Sequence, residues 1–173
     1  FQQDLSELYL GTDLGEELIA GVNNVAHLDA DLRKHYEGTL NLNSTGVICS
    51  GFLIMNCSRI RKENLVERFV EHSKNRYKFQ DQDVLNIVCK ERIRMLPPKY
   101  SLLTYISNIS INNRESLMDM WSADEILEAM NSGNIHYNGQ KPWKGYCINF
   151  DIWWEYYRKS PFFDQKFYYD FFY

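Results

Sequence analysis

Short continuous apolar runs alternate with amphipathic stretches along this chain, and turn signals separate them. Leu18-Ile19-Ala20-Gly21-Val22 is an apolar run of strand length just after the turn-like Gly11-Thr12-Asp13-Leu14-Gly15. Val47 to Met55 is the strongest strand signal; apolar on both faces, it predicts a strand covered by helices on each side. Ser50-Gly51 interrupts that run with two small residues, which inside a buried strand mark close approach by a ligand or another backbone. A helix capped by Ser58 should follow, with Leu65, Val66, Phe69 and Val70 on its apolar face. Another begins near Gln80-Asp81-Gln82-Asp83 and buries Val84, Leu85, Val88 and Cys89. Arg92 to Leu96 predicts a short strand stopped by Pro97-Pro98. Ser122-Ala123-Asp124-Glu125 is a capping box that opens a helix to Met130, with Gly133 just past its end and a short strand carrying His136 beyond. Two short amphipathic helices split at Ser160-Pro161 should form the tail from Asp151 to Tyr173. Asp29 to Thr39 is polar and partly helical, and Lys99 to Asn113 has a mixed pattern with no single assignment.

A length of 173 residues fits one domain with a real core. The balance of 19 basic against 23 acidic residues, with no long basic run, excludes nucleic acid as the main ligand. Aromatic residues reach 15% and crowd after Asn149, where rings suit sugar binding or an interaction surface. Cys49, Cys57, Cys89 and Cys147 form no CxxC pair, which predicts buried thiols in a reducing compartment rather than a zinc knuckle or a disulfide framework. No signal peptide or run of transmembrane length is present, so a soluble cytoplasmic protein is the expectation. Phe1-Gln2-Gln3 runs without a leader into Asp4, which reads as the interior of a longer protein.

Three stretches carry candidate chemistry. Ile135 through Trp143 places an imidazole, a glycine, a cation and a Pro-Trp stop close together. His136 could ligate a metal, Gly139 would let backbone amides approach an anion, and Lys141 would add charge, a set that suits a metal-bound diphosphate. The plainer reading is a strand and tight turn with His136 in the core. In Gln80-Asp81-Gln82-Asp83 the carboxylates suit helix capping, but Gln82 adds little to a cap; sugar hydroxyls are the functional alternative. Cys49-Ser50-Gly51 is either simple packing or a ligand approach. Asp29-Ala30-Asp31 has the spacing of a metal-binding pair but lies in a polar stretch, and reads as a solvated helix start.

Taken in order, these stretches resemble glycosyltransferase family 8, the group that includes bacterial lipopolysaccharide galactosyl- and glucosyltransferases and glycogenin. The likeness runs through Asp4 to Tyr9, Asp13-Leu14-Gly15 and Ser50 to Asn56. It continues through Phe79 to Asn86, which matches a DQDxLN block, and His136 to Trp143, which matches an HxxGxxKPW block one residue shorter here. The resemblance implies an α/β, Rossmann-like GT-A fold, of which this chain would be the central and C-terminal portion with a mixed sheet and flanking helices. Residues 1–150 would belong to the catalytic domain and 151–173 to an aromatic helical tail. The implied activity is retaining, metal-dependent transfer of glucose or galactose from a UDP-sugar to a glycan or lipid-linked saccharide, in cell-surface polysaccharide or lipopolysaccharide synthesis. A non-catalytic sugar-binding module derived from such a domain is the alternative.

By position, the resemblance makes His136 a ligand of Mn²⁺ or Mg²⁺, with Asn138, Gly139 and Lys141 at the phosphates. Asp81, with Asp83, would bind donor-sugar hydroxyls beside Cys49, Ser50 and Gly51. Gln82 would lie under the anomeric carbon as a positioning group in preference to a nucleophile, because an amide oxygen is a poor nucleophile. The family's two metal-binding aspartates would fall just upstream of Phe1. Cys49 stands where the family usually has Asn, Asn24 where some members place an acidic acceptor-binding residue. The aromatic tail, with Arg158, Lys159 and Lys166 interspersed, would permit peripheral contact with the inner face of a membrane.

Overall fold

The computed structural model describes residues 2–173. After α1 (Ser6–Gly11), β1 (Ile19–Asn23) forms the middle of a three-stranded sheet. The polar stretch beyond it folds into α2 (Ala30–Arg33) and a π-helical turn over Lys34–Thr39. Asp29 caps α2 by accepting from the amides of Asp31 and Leu32, so the Asp-Ala-Asp pair is the helix start its polar setting predicted. β2 (Ile48–Met55) runs antiparallel to β1. Three helices follow, α3 (Cys57–Lys62), α4 (Leu65–Ser73) and α5 (Asp81–Cys89), and then β3 (Ile93–Leu96) parallel to β1. The stretch with mixed pattern resolves into β4 (Leu102–Leu103) and α6 (Thr104–Asn112). α7 (Ala123–Ser132) opens on the expected capping box, and β5 (Ile135–His136) pairs in parallel with β4. The tail is α8 (Phe150–Lys159) and α9 (Gln165–Phe172).

Alternation along β1 divides the core. Ile19 faces a cluster with Ile48, Ile60, Leu65 and Cys89 under α3 to α5. Ala20 and Val22 face the opposite cluster, with Cys49, Leu102, Ile106, Leu117 and Ile126 under α6 and α7. β1 is therefore buried at all five residues, each large aliphatic contributing about 1.5–3 kcal/mol of burial. β2 departs from expectation. Its first two residues are buried, but Gly51 and Met55 are exposed, because among the described residues β2 is an edge strand with only β1 beside it.

The helix beyond β2 also differs. Asn56, not Ser58, is its cap: the Asn56 side chain accepts from the Arg59 amide while its own NH2 reaches the carbonyls of Gly15 and Glu17. One amide thereby accepts an N–H and donates to two carbonyls, where a serine hydroxyl has a single proton to give. Asn64, in the left-handed region at φ 55°, then breaks the helix into α3 and α4. Val66 and Val70 remain exposed for that reason, with only Leu65 of the expected apolar face fully buried. Three of the four thiols are buried as expected; Cys57 is exposed at the start of α3.

Glu63 locks this corner to β3. Its carboxylate accepts two hydrogen bonds from Arg92, at 2.6 and 2.9 Å, and one from Arg59 at 3.2 Å. The Arg92 hydrogen bonds, then those of Arg59, bring the Glu63 carboxyl from an ordinary 4.5 down to about 2. A depressed folded value means the stabilisation is fully present above about pH 4.5 and is lost as pH falls towards 2. In melting curves at a series of pH values, Glu63→Gln should therefore be less stable than wild type at pH 6, and the two should converge near pH 2. Parallel curves over that range would refute the assignment.

In the tail, Trp154 is 1% exposed and sits among Phe150, Tyr157, Phe167, Phe171 and Phe172. Lys159 and Lys166 each pair with a carboxylate four residues away, Glu155 and Asp170. Among the described residues no helix is long and apolar enough to cross a membrane.

Candidate active site

Residues 49–51 of β2 are where the sequence-predicted groups meet. The Ser50 amide donates to Gln82 Oε1 at 3.3 Å, and Cys49 Sγ lies 3.7 Å from His136 Nδ1. Gly51 lies flat against the same imidazole: a Cβ added there would stand 2.0 Å from His136 Cε1 and 2.3 Å from Nδ1. The small residue that interrupts the strand is thus a seat for a ring. Gln82 from α5 and His136 from β5 are brought to consecutive positions of one strand, although 54 residues separate them in sequence.

His136 reaches this place through the parallel pairing of Leu103 with His136. Burial, and secondarily the Lys141 ammonium, hold its pKa below the ordinary histidine value, so the ring stands neutral at neutral pH. Burial pushes the Cys49 thiol up, which keeps it protonated. When Nδ1–H donates to the Cys49 sulfur, the Nε2 lone pair is left free, the state a metal ligand requires. The donor set fits one coordination position. Among the described residues, no group of three histidine, cysteine or carboxylate side chains is placed to hold a metal ion.

A cavity of about 370 Å³ opens beside the imidazole, lined by Gly51, Phe52, Tyr100, Lys141 and Trp143 as well as His136. Ser101 Oγ and Asn134 Nδ2 belong to residues in its wall and are buried without a hydrogen-bond partner among the described residues. The Lys141 ammonium donates to the carbonyl of Tyr137, which folds the lysine back over its own loop. Asn138 Oδ1 accepts from the Thr104 amide at 3.1 Å, and Gly139 is exposed with open space around it. The tail holds this loop from behind: Trp154 Nε1 donates to the Pro142 carbonyl at 3.1 Å, Tyr137 OH to the Asn149 carbonyl at 2.6 Å, and the rings of Trp143 and Trp153 lie 5.4 Å apart.

The first turn of α5 presents three polar side chains in three environments. Asp81 is exposed, Gln82 is half-buried and Asp83 has no exposed surface. Asp83, expected among the sugar-binding residues, is directed inward instead. Its Oδ2 accepts from the Phe79 amide at 3.0 Å and lies 2.9 Å from His35 Nε2. These contacts tie Oδ2 to the turn before α5, while Oδ1 is buried with no hydrogen-bond partner among the described residues. Cys49 is likewise behind the imidazole rather than on an open surface, at 7% exposure. Gln80, just ahead of the helix, has φ +44° and ψ −111°, a backbone conformation other residues adopt at a cost of about 1–3 kcal/mol and characteristic of functional turns.

Two residues absent from the sequence-based site belong to it. Tyr36 is fully buried and its hydroxyl accepts from Gln82 Nε2 at 2.7 Å and from Asn24 Nδ2 at 3.2 Å. His35, next in the chain, takes Asp83. Neither has a neighbour in sequence that signals this; contact across more than 40 residues created by a π-helical turn leaves no local pattern.

The mixed sheet with helices on both faces, met at β2 by an imidazole from β5 and an amide from α5, is an α/β frame that solved structures share. The bifunctional glycosyltransferase WbbM in its apo form superposes with a TM-score of 0.71 at 24% identity, over 95% of this chain and 32% of that one. The galactosyltransferase LgtC, solved in complex with donor and acceptor sugar analogs, gives 0.65 at 18% identity, over 95% and 59%. At these identities the likeness establishes the fold. A candidate glycosyltransferase of Haemophilus influenzae is 27% identical over 70 residues, which is 38% of this chain and 21% of the relative. The family model for glycosyl transferase family 8 matches residues 1–147, and the chain belongs to that family. It spans well under two thirds of each of these relatives.

Proposed function

We propose that this chain forms the central and C-terminal part of the catalytic domain of a retaining hexosyltransferase that takes glucose or galactose from a UDP-sugar. The observation that supports the reading is that Gln82 reaches the Ser50 amide and His136 seats on neighbouring Gly51 of the same strand, with a cavity beside the imidazole that Gly51, His136 and Lys141 line. Bound at His136 Nε2 together with further ligands, a divalent cation such as Mn²⁺ or Mg²⁺ would supply Lewis-acid neutralisation of the diphosphate. Lys141 adds a preorganised positive charge where the leaving oxygen becomes anionic, aided by amides around Asn138 and Gly139. Asp81, the exposed carboxylate of the block, accepts hydrogen bonds from donor-sugar hydroxyls. Gln82 turns the negative end of its amide dipole towards the anomeric carbon as positive charge develops there. The acceptor is a glycan or lipid-linked saccharide of cell-surface polysaccharide synthesis, in the cytoplasm. Membrane contact through the tail has its exposed rings in favour, but its paired lysines offer no surplus charge, and it forms no part of the proposal.

The test is release of UDP from UDP-glucose and UDP-galactose by the intact protein. Turnover should require Mn²⁺ or Mg²⁺, stop on chelation and return when metal is restored. A rate indifferent to chelator sinks the metal role. A second reading, a non-catalytic sugar-binding module, draws on the single metal donor found among the described residues. Saturable UDP-sugar binding with no turnover in any metal would establish it.

A further inference from the structure

We propose that Tyr36 is a positioning residue for Gln82: its hydroxyl holds the NH2 of the Gln82 amide while the Ser50 amide takes the carbonyl oxygen, so that the side chain is pinned at both ends with that oxygen at β2. The proposal rests on the role assigned to Gln82 above. Four hydrogen bonds determine the orientation. The Ala26 amide donates to Asn24 Oδ1 at 3.0 Å, which leaves Asn24 Nδ2 as the group facing Tyr36. The Ser50 amide donates to Gln82 Oε1 at 3.3 Å, which leaves Gln82 Nε2 for the same hydroxyl, at 2.7 Å. Turning either amide over would set N–H against N–H, so the two side chains are oriented from both ends.

The backbone explains how one residue can do this. Tyr36 and His35 are consecutive in the π-helical turn Lys34–Thr39, and they grip Gln82 and Asp83, consecutive in the first turn of α5. π-turns concentrate at functional positions because the extra residue per turn redirects side chains that an α-helix would place elsewhere. His35 and Asp83 anchor the pair, and stacking of the Tyr36 ring on Phe79, centroids 6.3 Å apart, excludes water around the hydroxyl. Without Tyr36 the Gln82 NH2 would lose this partner, and the amide would be held only by the 3.3 Å bond from the Ser50 amide, leaving the side chain free to swing about it.

Tyr36→Phe keeps the ring and removes the oxygen. It should lower kcat about tenfold with the KM for the UDP-sugar nearly unchanged, since the interaction lost acts on the reacting carbon rather than on donor binding. In a Gln82→Ala background the same change should cost nothing further. Should Tyr36→Phe fold poorly, wild type suffices: in side-chain amide NMR the Gln82 NH2 protons should exchange with water more slowly than those of exposed Gln140. Full kcat in Tyr36→Phe beside a crippled Gln82→Ala, or Gln82 protons as labile as those of Gln140, overturns the positioning role and leaves the site standing. A Gln82→Ala variant as active as wild type overturns the site itself, and this role with it.

Discussion

Gly51→Ala should reduce the proposed metal-dependent sugar transfer about 100-fold while the protein still folds, because misplacing a reactive group by about 1 Å costs that much. The added methyl would need the space now filled by the His136 ring, with contacts of 2.0 to 2.9 Å to three of its atoms. Gly51 is on an exposed part of an edge strand, so the ring can move away towards the cavity and the sheet need not break. Displacement of the imidazole should appear as a higher Mn²⁺ requirement, and adding His136→Ala should make little further difference. Wild-type metal dependence in Gly51→Ala would show that the imidazole takes no part in holding the ion.

Asp83→Ala should destabilise the fold by about 1–3 kcal/mol for each group it strands, the cost of leaving a buried polar group without its hydrogen-bond partner. His35 keeps only 10% of its side-chain surface and would lose its partner, as would the Phe79 amide that closes the turn before α5. Urea unfolding of the intact protein would read this as a midpoint shift at constant slope. A loss below about 1 kcal/mol would return Asp83 to the sugar-binding set and remove the anchoring assigned to it here.

Where spacing along the chain encodes geometry, the sequence was informative. The capping box at Ser122, the proline stop after Leu96 and the split of the tail at Ser160-Pro161 each rest on local backbone chemistry, and each element is found. Residue chemistry drew attention to Gln82 and His136, family likeness supplied their expected roles, and the fold sets them against neighbouring Ser50 and Gly51. Three matters were not legible. An apolar strand reads alike whether central or at an edge, which hid the exposure of Gly51 and Met55. Asp81 and Asp83 are identical residues two apart that the helix turns to different sides, and it takes the tertiary position of His35 to give the inward one its partner. Tyr36 is one tyrosine among 12, and nothing in its neighbourhood announces a hydroxyl shared by two amides.

Three of the four tryptophans of this chain, Trp143, Trp153 and Trp154, stand on or directly behind the loop that carries Lys141, and one of them is bonded to that loop through its indole nitrogen. The molecule therefore has an optical probe built into its reactive edge: intrinsic emission, dominated by indoles at this one place, reports the arrival of a ligand at the loop with no dye attached.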